Sequence, residues 1–302
     1  MAATTDLRAL AETDARHPIA PEHLHRALQT APFVYVPGTF NTRDIGRLNT
    51  LSRPDHGGQK QHGIRPGFLY RTGGLSHLGA SPQGQAMLRD TLGIRRIFDL
   101  RSRDEHAQSP DPVIDGIEGV WELGTTREKA ATVELPLFVD GQGEKGYVAM
   151  YLEVLDMYRG IFGEVLKSVR DRPEEAILFH CTAGRDRTGV LAGLLETLAG
   201  VDPYLIQTDY LLSRIGYEPA RRQLLQFAIR GSGIPVDDTT DLAQFYEVPG
   251  FLNMASLRSV CWDAFVDAVA DKYGGFEGYV RTALGFSEDD VRLIRKNLVE
   301  AP

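Results

Sequence analysis

The chain has 302 residues, 42% hydrophobic and 25% charged, with a formal net charge of −8. This is the balance of a folded globular protein, and it argues against a general nucleic-acid binder, whose electrostatic footprint is basic. Two cysteines, Cys181 and Cys261, are too few for a disulfide framework and suit a reducing compartment. The opening residues lack the apolar run of a signal peptide and no stretch approaches ~18 uninterrupted apolar residues, so the expectation is a cytoplasmic protein without a membrane span.

Taken in order, residues 4–30 carry Leu7, Leu10, Leu24 and Leu28 interrupted by His17-Pro18 and Pro21. Two short helices are expected there, so 1–30 is an N-terminal helical extension. Phe33–Val36 reads as a strand and Phe68–Arg71 as its hairpin partner, separated by a polar segment at 49–63 long enough to be a mobile loop. Ser81-Pro82 starts a helix that Gly93 ends. Ile94–Leu100 is the next strand, and it delivers Asp99 and Arg101 to its carboxyl end, where ligands of open α/β sheets gather. Val120–Leu123 reads as a further strand and 124–145 as a loop with a turn at Asp140-Gly141. From Gly146 to Arg170 a 3.6-residue apolar rhythm predicts one long amphipathic helix.

Ala176–Phe179 is a buried strand, and Val190–Leu195 opens an apolar helix. Helices follow from Asp202-Pro203 to about Ser213, over 218–230 and over Leu252–Tyr273, with Cys261 on the apolar side of the last. Residues 231–250 break the pattern, and Ser287–Asp290 is a capping-box start for the final helix. The fold expected is α/β, a central mostly parallel sheet flanked by helices in a single domain over 1–302. The segment 204–256 forms either a plain C-terminal helical layer or a lid.

Between the central strand and its helix stands His180-Cys181-Thr182-Ala183-Gly184-Arg185-Asp186-Arg187-Thr188-Gly189. A strand-loop-helix junction aims backbone N–H groups and the positive end of the helix dipole at one point, which makes it an anion site. Loop amides, the helix start and two arginines depress a thiol pKa from about 8.5 into the range ~3.5–7.5, so Cys181 is expected to be a thiolate. Arg187 carries a planar fork matching two phosphoryl oxygens. Gly184 allows positive φ and close approach to a ligand, and Thr188 can offer its hydroxyl to the sulfur. No Cys/His metal-ligand spacing is present, so neither a metal nor another cofactor is expected.

His-Cys-x-x-Gly-x-x-Arg-Thr-Gly resembles the signature of the cysteine-dependent protein tyrosine phosphatases. The form Cys-x-x-Gly-x-Asp-Arg-Thr resembles more narrowly their atypical, broad-specificity branch, typified by a secreted mycobacterial enzyme. Asn41–Gly46, Phe68–Gly73 and Asp99–Ser102 are similar to further segments of that branch, and the likeness runs from about Val34 to the C-terminus.

The resemblance implies hydrolysis of phosphate monoesters through a phosphocysteine on Cys181, with Arg187 holding the phosphoryl oxygens. Thr182, Ala183, Gly184, Arg185, Thr188 and Asp99 are then expected to bind substrate, and His180, Asn41, Asp44 and Arg101 to support the site. The resemblance gives the acid/base role to Asp186. A competing account has Asp186 orient the loop arginines while Asp99 or Asp140 donates the proton. His180 is expected to tune the thiolate, not to act as a base. The resembled proteins usually carry lysine at the position of Arg185, which holds an extra phosphate of a phosphoinositide or is simply solvated. Three functions are open at this point: a phosphatase for phosphotyrosine that also takes phosphoserine or phosphothreonine, a phosphoinositide phosphatase, and a phosphate-binding module without turnover.

Overall fold

The computed structural model describes residues 6–51, 63–121, 133–232 and 241–302. The elements run α1 (Leu7–Ala11), α2 (Pro21–Leu28), β1 (Arg43–Asp44), β2 (Leu69–Thr72), α3 (Pro82–Ala86), β3 (Ile94–Asp99), α4 (Arg103–Gln108) and β4 (Glu118–Val120). They continue α5 (Glu144–Met157), α6 (Arg159–Asp171), β5 (Ala176–His180), α7 (Asp186–Leu198), α8 (Pro203–Gly216) and α9 (Arg221–Gly231). The chain closes with α10 (Phe251–Ala255), α11 (Ser259–Tyr273), α12 (Phe276–Thr282) and α13 (Glu288–Val299).

The sheet has five strands in the order β1-β2-β5-β3-β4, with β1 antiparallel to β2 and the other pairings parallel. β5 lies in the middle and is buried along its whole length. Its side chains alternate between faces as the pleat requires. Ile177 and Phe179 enter the large core built by the helices, while Ala176 and Leu178 enter a smaller cluster with Tyr70, Leu78, Leu88 and Ile97. Burial on both faces explains why this strand reads as an unbroken apolar run. The loop that follows it leaves the carboxyl edge of the sheet between β2 and β3, and α7 carries the chain back across the large core.

The α/β class expected from the sequence is the one observed, with several local differences. Residues 33–36 form no strand: Val34 donates its N–H to Thr42 O at 3.0 Å and Phe33 makes one bridge to Arg43. Pro32 and Pro37 flank that stretch and cannot donate to a ladder, so the partner of β2 is β1. The long helix expected over 146–170 is two, because Tyr158 leaves helical geometry (φ −101°, ψ 17°) while its ring stays buried. The apolar rhythm carries on through the break, which is why periodicity alone runs the helices together. Leu252–Tyr273 likewise divides at 256–258, where Ser256 O accepts a hydrogen bond from Tyr147 Oη at 2.6 Å. α4 and α12 were not expected from the sequence, and β4 begins two residues before Val120. Most of the loop expected at 49–63, much of the one at 124–145 and part of the break at 231–250 lie outside the described residues. No helix among the described residues is long and apolar enough to cross a membrane.

Candidate active site

The loop after β5 is shaped by what holds its carbonyls. Thr182 O accepts from Gly74 N–H at 3.0 Å, Ala183 O from Asn41 Nδ2 at 3.1 Å, and Gly184 O from Asn41 Nδ2 at 3.0 Å and Arg71 Nη2 at 2.9 Å. Arg185 O accepts from Gly189 N–H at 2.9 Å, the first turn of α7. In a trans peptide the C=O of one residue and the N–H of the next point in opposite directions. Four consecutive carbonyls turned outward onto these braces therefore turn the N–H groups of residues 183–186 inward, toward the loop centre. Gly184 makes this possible: its φ is +65°, and a Cβ there would stand 2.3 Å from Thr72 O. Asn41 is itself at positive φ (58°), a conformation asparagine tolerates better than most residues.

Cys181 sits at the base of a cavity of about 170 Å³ together with Thr182, Ala183, Arg185, Asp186 and Arg187. Burial alone would raise its thiol pKa. The Arg187 charge and hydrogen bonds from the Thr188 hydroxyl and N–H outweigh that and lower it. The Thr188 Oγ1 is buried and no nitrogen or oxygen partners it, so its hydroxyl is available to the sulfur.

Arg187 is gripped end-on by a residue that the sequence reading did not single out. Its Nη1 and Nη2 donate to Glu105 Oε2 and Oε1 at 2.6 and 2.8 Å. This leaves the Nε edge of the fork for a phosphoryl group. Glu105 also accepts from the Thr182 hydroxyl and from Ser102 N–H. Burial pushes its carboxyl up, but Arg187 and these donors bring it down to about 2, so it stays ionised. Ser102 and Glu105 form the capping box of α4, and Ser-x-x-Glu directly after a strand is a pattern that could have drawn attention to it. We predict that Glu105→Gln, which keeps the shape but removes the charge, lowers kcat/KM on phosphate monoesters about 10- to 100-fold through a misplaced Arg187. Steady-state kinetics beside a melting curve would check this; unchanged kcat/KM in a folded variant counts against the positioning role.

The other expected residues fall into three places. Asp186 lines the cavity, and its Oδ1 accepts from Tyr151 Oη at 2.7 Å and Arg185 Nε at 2.9 Å. Tyr151 in turn meets Tyr210 Oη at 2.8 Å. Arg185 reaches away from solvent, donating also to Met254 O at 3.0 Å. His180 lies under the loop with Nε2 2.7 Å from Asp111 Oδ2 and Nδ1 donating to Cys181 O at 3.3 Å. Burial would lower its pKa, but Asp111 and Asp99 raise it above the usual value.

Asp99 and Arg101 form a buried pair behind the loop, and neither lines the cavity. Arg101 Nε and Nη2 donate to the two Asp99 oxygens at 2.8 Å, and Nη2 also to Asp111 Oδ1 at 2.8 Å. Asp99, Asp111 and His180 lie close enough to share a cation, but the Arg101 guanidinium already bridges the two carboxylates in that role. Asp44 is remote from the loop: its carboxylate accepts from Gly46 and Gly67 N–H at 2.9 and 2.8 Å and fixes the start of β2. Asp140 is exposed beside Lys145.

A buried thiol with lowered pKa, inward amides and an arginine fork define a nucleophilic anion site of the kind used in phosphoryl transfer. Residues 34–300 match the model of a family described as the tyrosine phosphatase family, and the chain belongs to that family. It is 30% identical over 214 residues to a tyrosine-protein phosphatase of Nostoc commune, covering 70% of this chain and 68% of the relative. It is 27% identical over 287 residues to the triple specificity protein phosphatase PtpB of Mycobacterium tuberculosis, covering 86% of this chain and 96% of that one. The protein is therefore a phosphoric monoester hydrolase of the tyrosine phosphatase kind.

Proposed function

We infer that the protein hydrolyses phosphotyrosine and related phosphate monoesters in two displacements through Cys181. The thiolate attacks phosphorus as the ester P–O bond breaks, and a proton from the Asp186 carboxyl goes to the leaving oxygen. Asp186 then takes a proton from water as the water oxygen attacks phosphorus, the S–P bond breaks, and orthophosphate leaves with Cys181 again a thiolate. The observation that carries this reading is the run of four outward carbonyls at 182–185, because it accounts for amides directed at three equatorial phosphoryl oxygens. Thr182, Ala183, Gly184 and Arg185 supply that cradle mainly through backbone, Arg187 supplies the fork, and Thr188 steadies the sulfur as nucleophile and leaving group.

Asp186 is favoured over Asp99 and Asp140 as the acid because it alone of the three lines the cavity. Asn41 and His180 act as braces of the loop, and the Asp99–Arg101 pair supports His180 through Asp111. Activity on phosphoserine or phosphothreonine follows if the cavity admits the smaller esters; the mycobacterial relative is named for triple specificity. A phosphoinositide reading gains less, since Arg185 is committed to Asp186 and Met254 O. With both cysteines free, the reading extends to a reducing compartment such as the cytoplasm. Among the described residues of 204–256, α9 lies along the cavity, and we read it as the cavity's cover.

Asp186→Asn tests the acid assignment. We predict a loss of about 10²–10⁴-fold in kcat on phenyl phosphate, whose leaving group needs a proton. The loss should be much smaller on p-nitrophenyl phosphate, whose phenolate leaves unaided. Equal losses on both esters would remove Asp186 from that role.

A further inference from the structure

The cavity does not stop at the loop. It continues beneath α9, where Arg221, Leu224, Leu225, Phe227, Ala228 and Gly231 all line it, with Tyr217 just ahead of the helix. Arg221, Leu224, Ala228 and Gly231, spaced three, four and three residues apart, share one helix face from the first to the last residue of α9, so the groove runs along the helix. From Arg221 to Gly231 it follows α9 for about 15 Å at 1.5 Å rise per residue. A single aromatic ring standing on the phosphate covers less than half of that length. Met150 and Met254 also line it, flexible thioethers that adapt to a chain without fixed shape.

Charge along the groove is already engaged. Three arginines line it: Arg185 is tied to Asp186 and Met254 O, Arg187 to Glu105, and Arg221 to Ala15 O at 2.6 Å and Tyr246 Oη at 3.1 Å. Past the loop, the lining among the described residues offers a second phosphate no arginine free of other partners. It offers a mostly apolar surface, Leu224, Leu225 and Ala228 with the rings of Phe227 and Tyr246, continuous with an anion cradle at one end.

Resting on the reading of Cys181 as nucleophile, we propose that the groove receives the hydrocarbon chain of a single-tailed alkyl phosphate, and that long-chain alkyl monophosphates are substrates of this site. The head group takes the loop and the chain lies along α9 against Leu224 and Ala228. The reaction is the same displacement, with the ester oxygen leaving as the protonated alcohol. An alkoxide leaves poorly without a proton, and Asp186 stands at the junction of loop and groove where that oxygen would be.

The test is orthophosphate release from ethyl, octyl and dodecyl phosphate below their micelle concentrations, with p-nitrophenyl phosphate and a short-chain phosphoinositide in parallel. A fully buried methylene strengthens binding about fourfold. Even partial burial should therefore raise kcat/KM at least about tenfold from ethyl to octyl phosphate. Ala228→Trp, which blocks the groove, and Leu224→Asn, which wets it, should each lower the octyl-to-ethyl ratio at least about fivefold. A flat chain-length series overturns the proposal, as does a ratio that neither variant moves or faster turnover of the phosphoinositide than of octyl phosphate. If p-nitrophenyl phosphate is still turned over in a Cys181-dependent way, only the groove assignment falls. If it is not, the phosphatase reading falls with it.

Discussion

Cys181→Ser should lower kcat on p-nitrophenyl phosphate by a factor on the order of 10⁴–10⁶, the scale seen when a nucleophile is removed. Among the described residues that line the cavity, none can replace it. Arg185 is bound to Asp186 and Thr182 to Glu105, and Asp186 enters the first step as the proton donor, so a serine hydroxyl at 181 has no base to deprotonate it. The sulfur is reactive because its anion is stabilised from outside: Arg187 and both groups of Thr188 lower the thiol pKa although burial opposes them. Thiolate forms as pH rises through a pKa below that of an ordinary cysteine, so the acid limb of iodoacetate alkylation at Cys181 should lie below that of Cys261. Burial raises the Cys261 thiol to about 11. Measuring alkylation against pH by peptide mass, beside the kinetics of the serine variant, checks both halves. A variant within tenfold of wild type, or two cysteines with the same pH profile, would mean the loop does not activate its sulfur.

How far the sequence reaches is set by where each constraint resides. The loop was legible because its chemistry and its backbone needs are local: cysteine, glycine and arginine must stand at fixed offsets for a helix-capped cradle. β5 was legible because burial on both faces writes an apolar run. What was not legible depends on residues brought together from afar. Glu105 reaches Arg187 from 82 positions away and Tyr151 reaches Asp186 from 35. Asp111 reaches His180 from 69. Each looks like an ordinary polar or aromatic residue in its own neighbourhood. Asp44 shows the converse, a residue that sits in a motif beside Asn41 and Arg43 yet serves the start of β2. The helix break at Tyr158 escaped for a related reason, since apolar spacing reports which face is buried and not whether the axis is continuous.

The largest effect on stability is expected at Asp209, a residue of α8 that touches no substrate. Its carboxylate accepts from Arg43 Nε at 2.6 Å and from Arg71 Nη1, and both arginines are buried completely. Glu196 of α7 is buried beside them, and neither of its carboxyl oxygens has a hydrogen-bond partner. Burial and the neighbouring Asp209 raise its pKa well above the usual carboxylate range. That direction favours the neutral carboxyl and leaves Asp209 as the anion that faces both arginines. Burial and Arg71 bring the Arg43 guanidinium down to about 10, which still leaves it charged at neutral pH. Removing the shared anion strands two charges in a medium of low dielectric, and breaking such a buried pair costs about 3–5 kcal/mol. Asp209→Ala should lose that much in urea unfolding, whereas Glu196→Gln, a neutral polar group for another, should change stability by less than about 1 kcal/mol. Activity should fall with Asp209→Ala as well, because the Arg71 held by Asp209 also donates to Gly184 O. That hydrogen bond keeps the loop's amides turned inward. The surplus positive charge of the cluster thus lies directly behind the cradle, where it favours both the thiolate and the phosphate. A folded Asp209→Ala protein that lost under about 1 kcal/mol and kept its kcat/KM would show that the loop holds its shape without this brace.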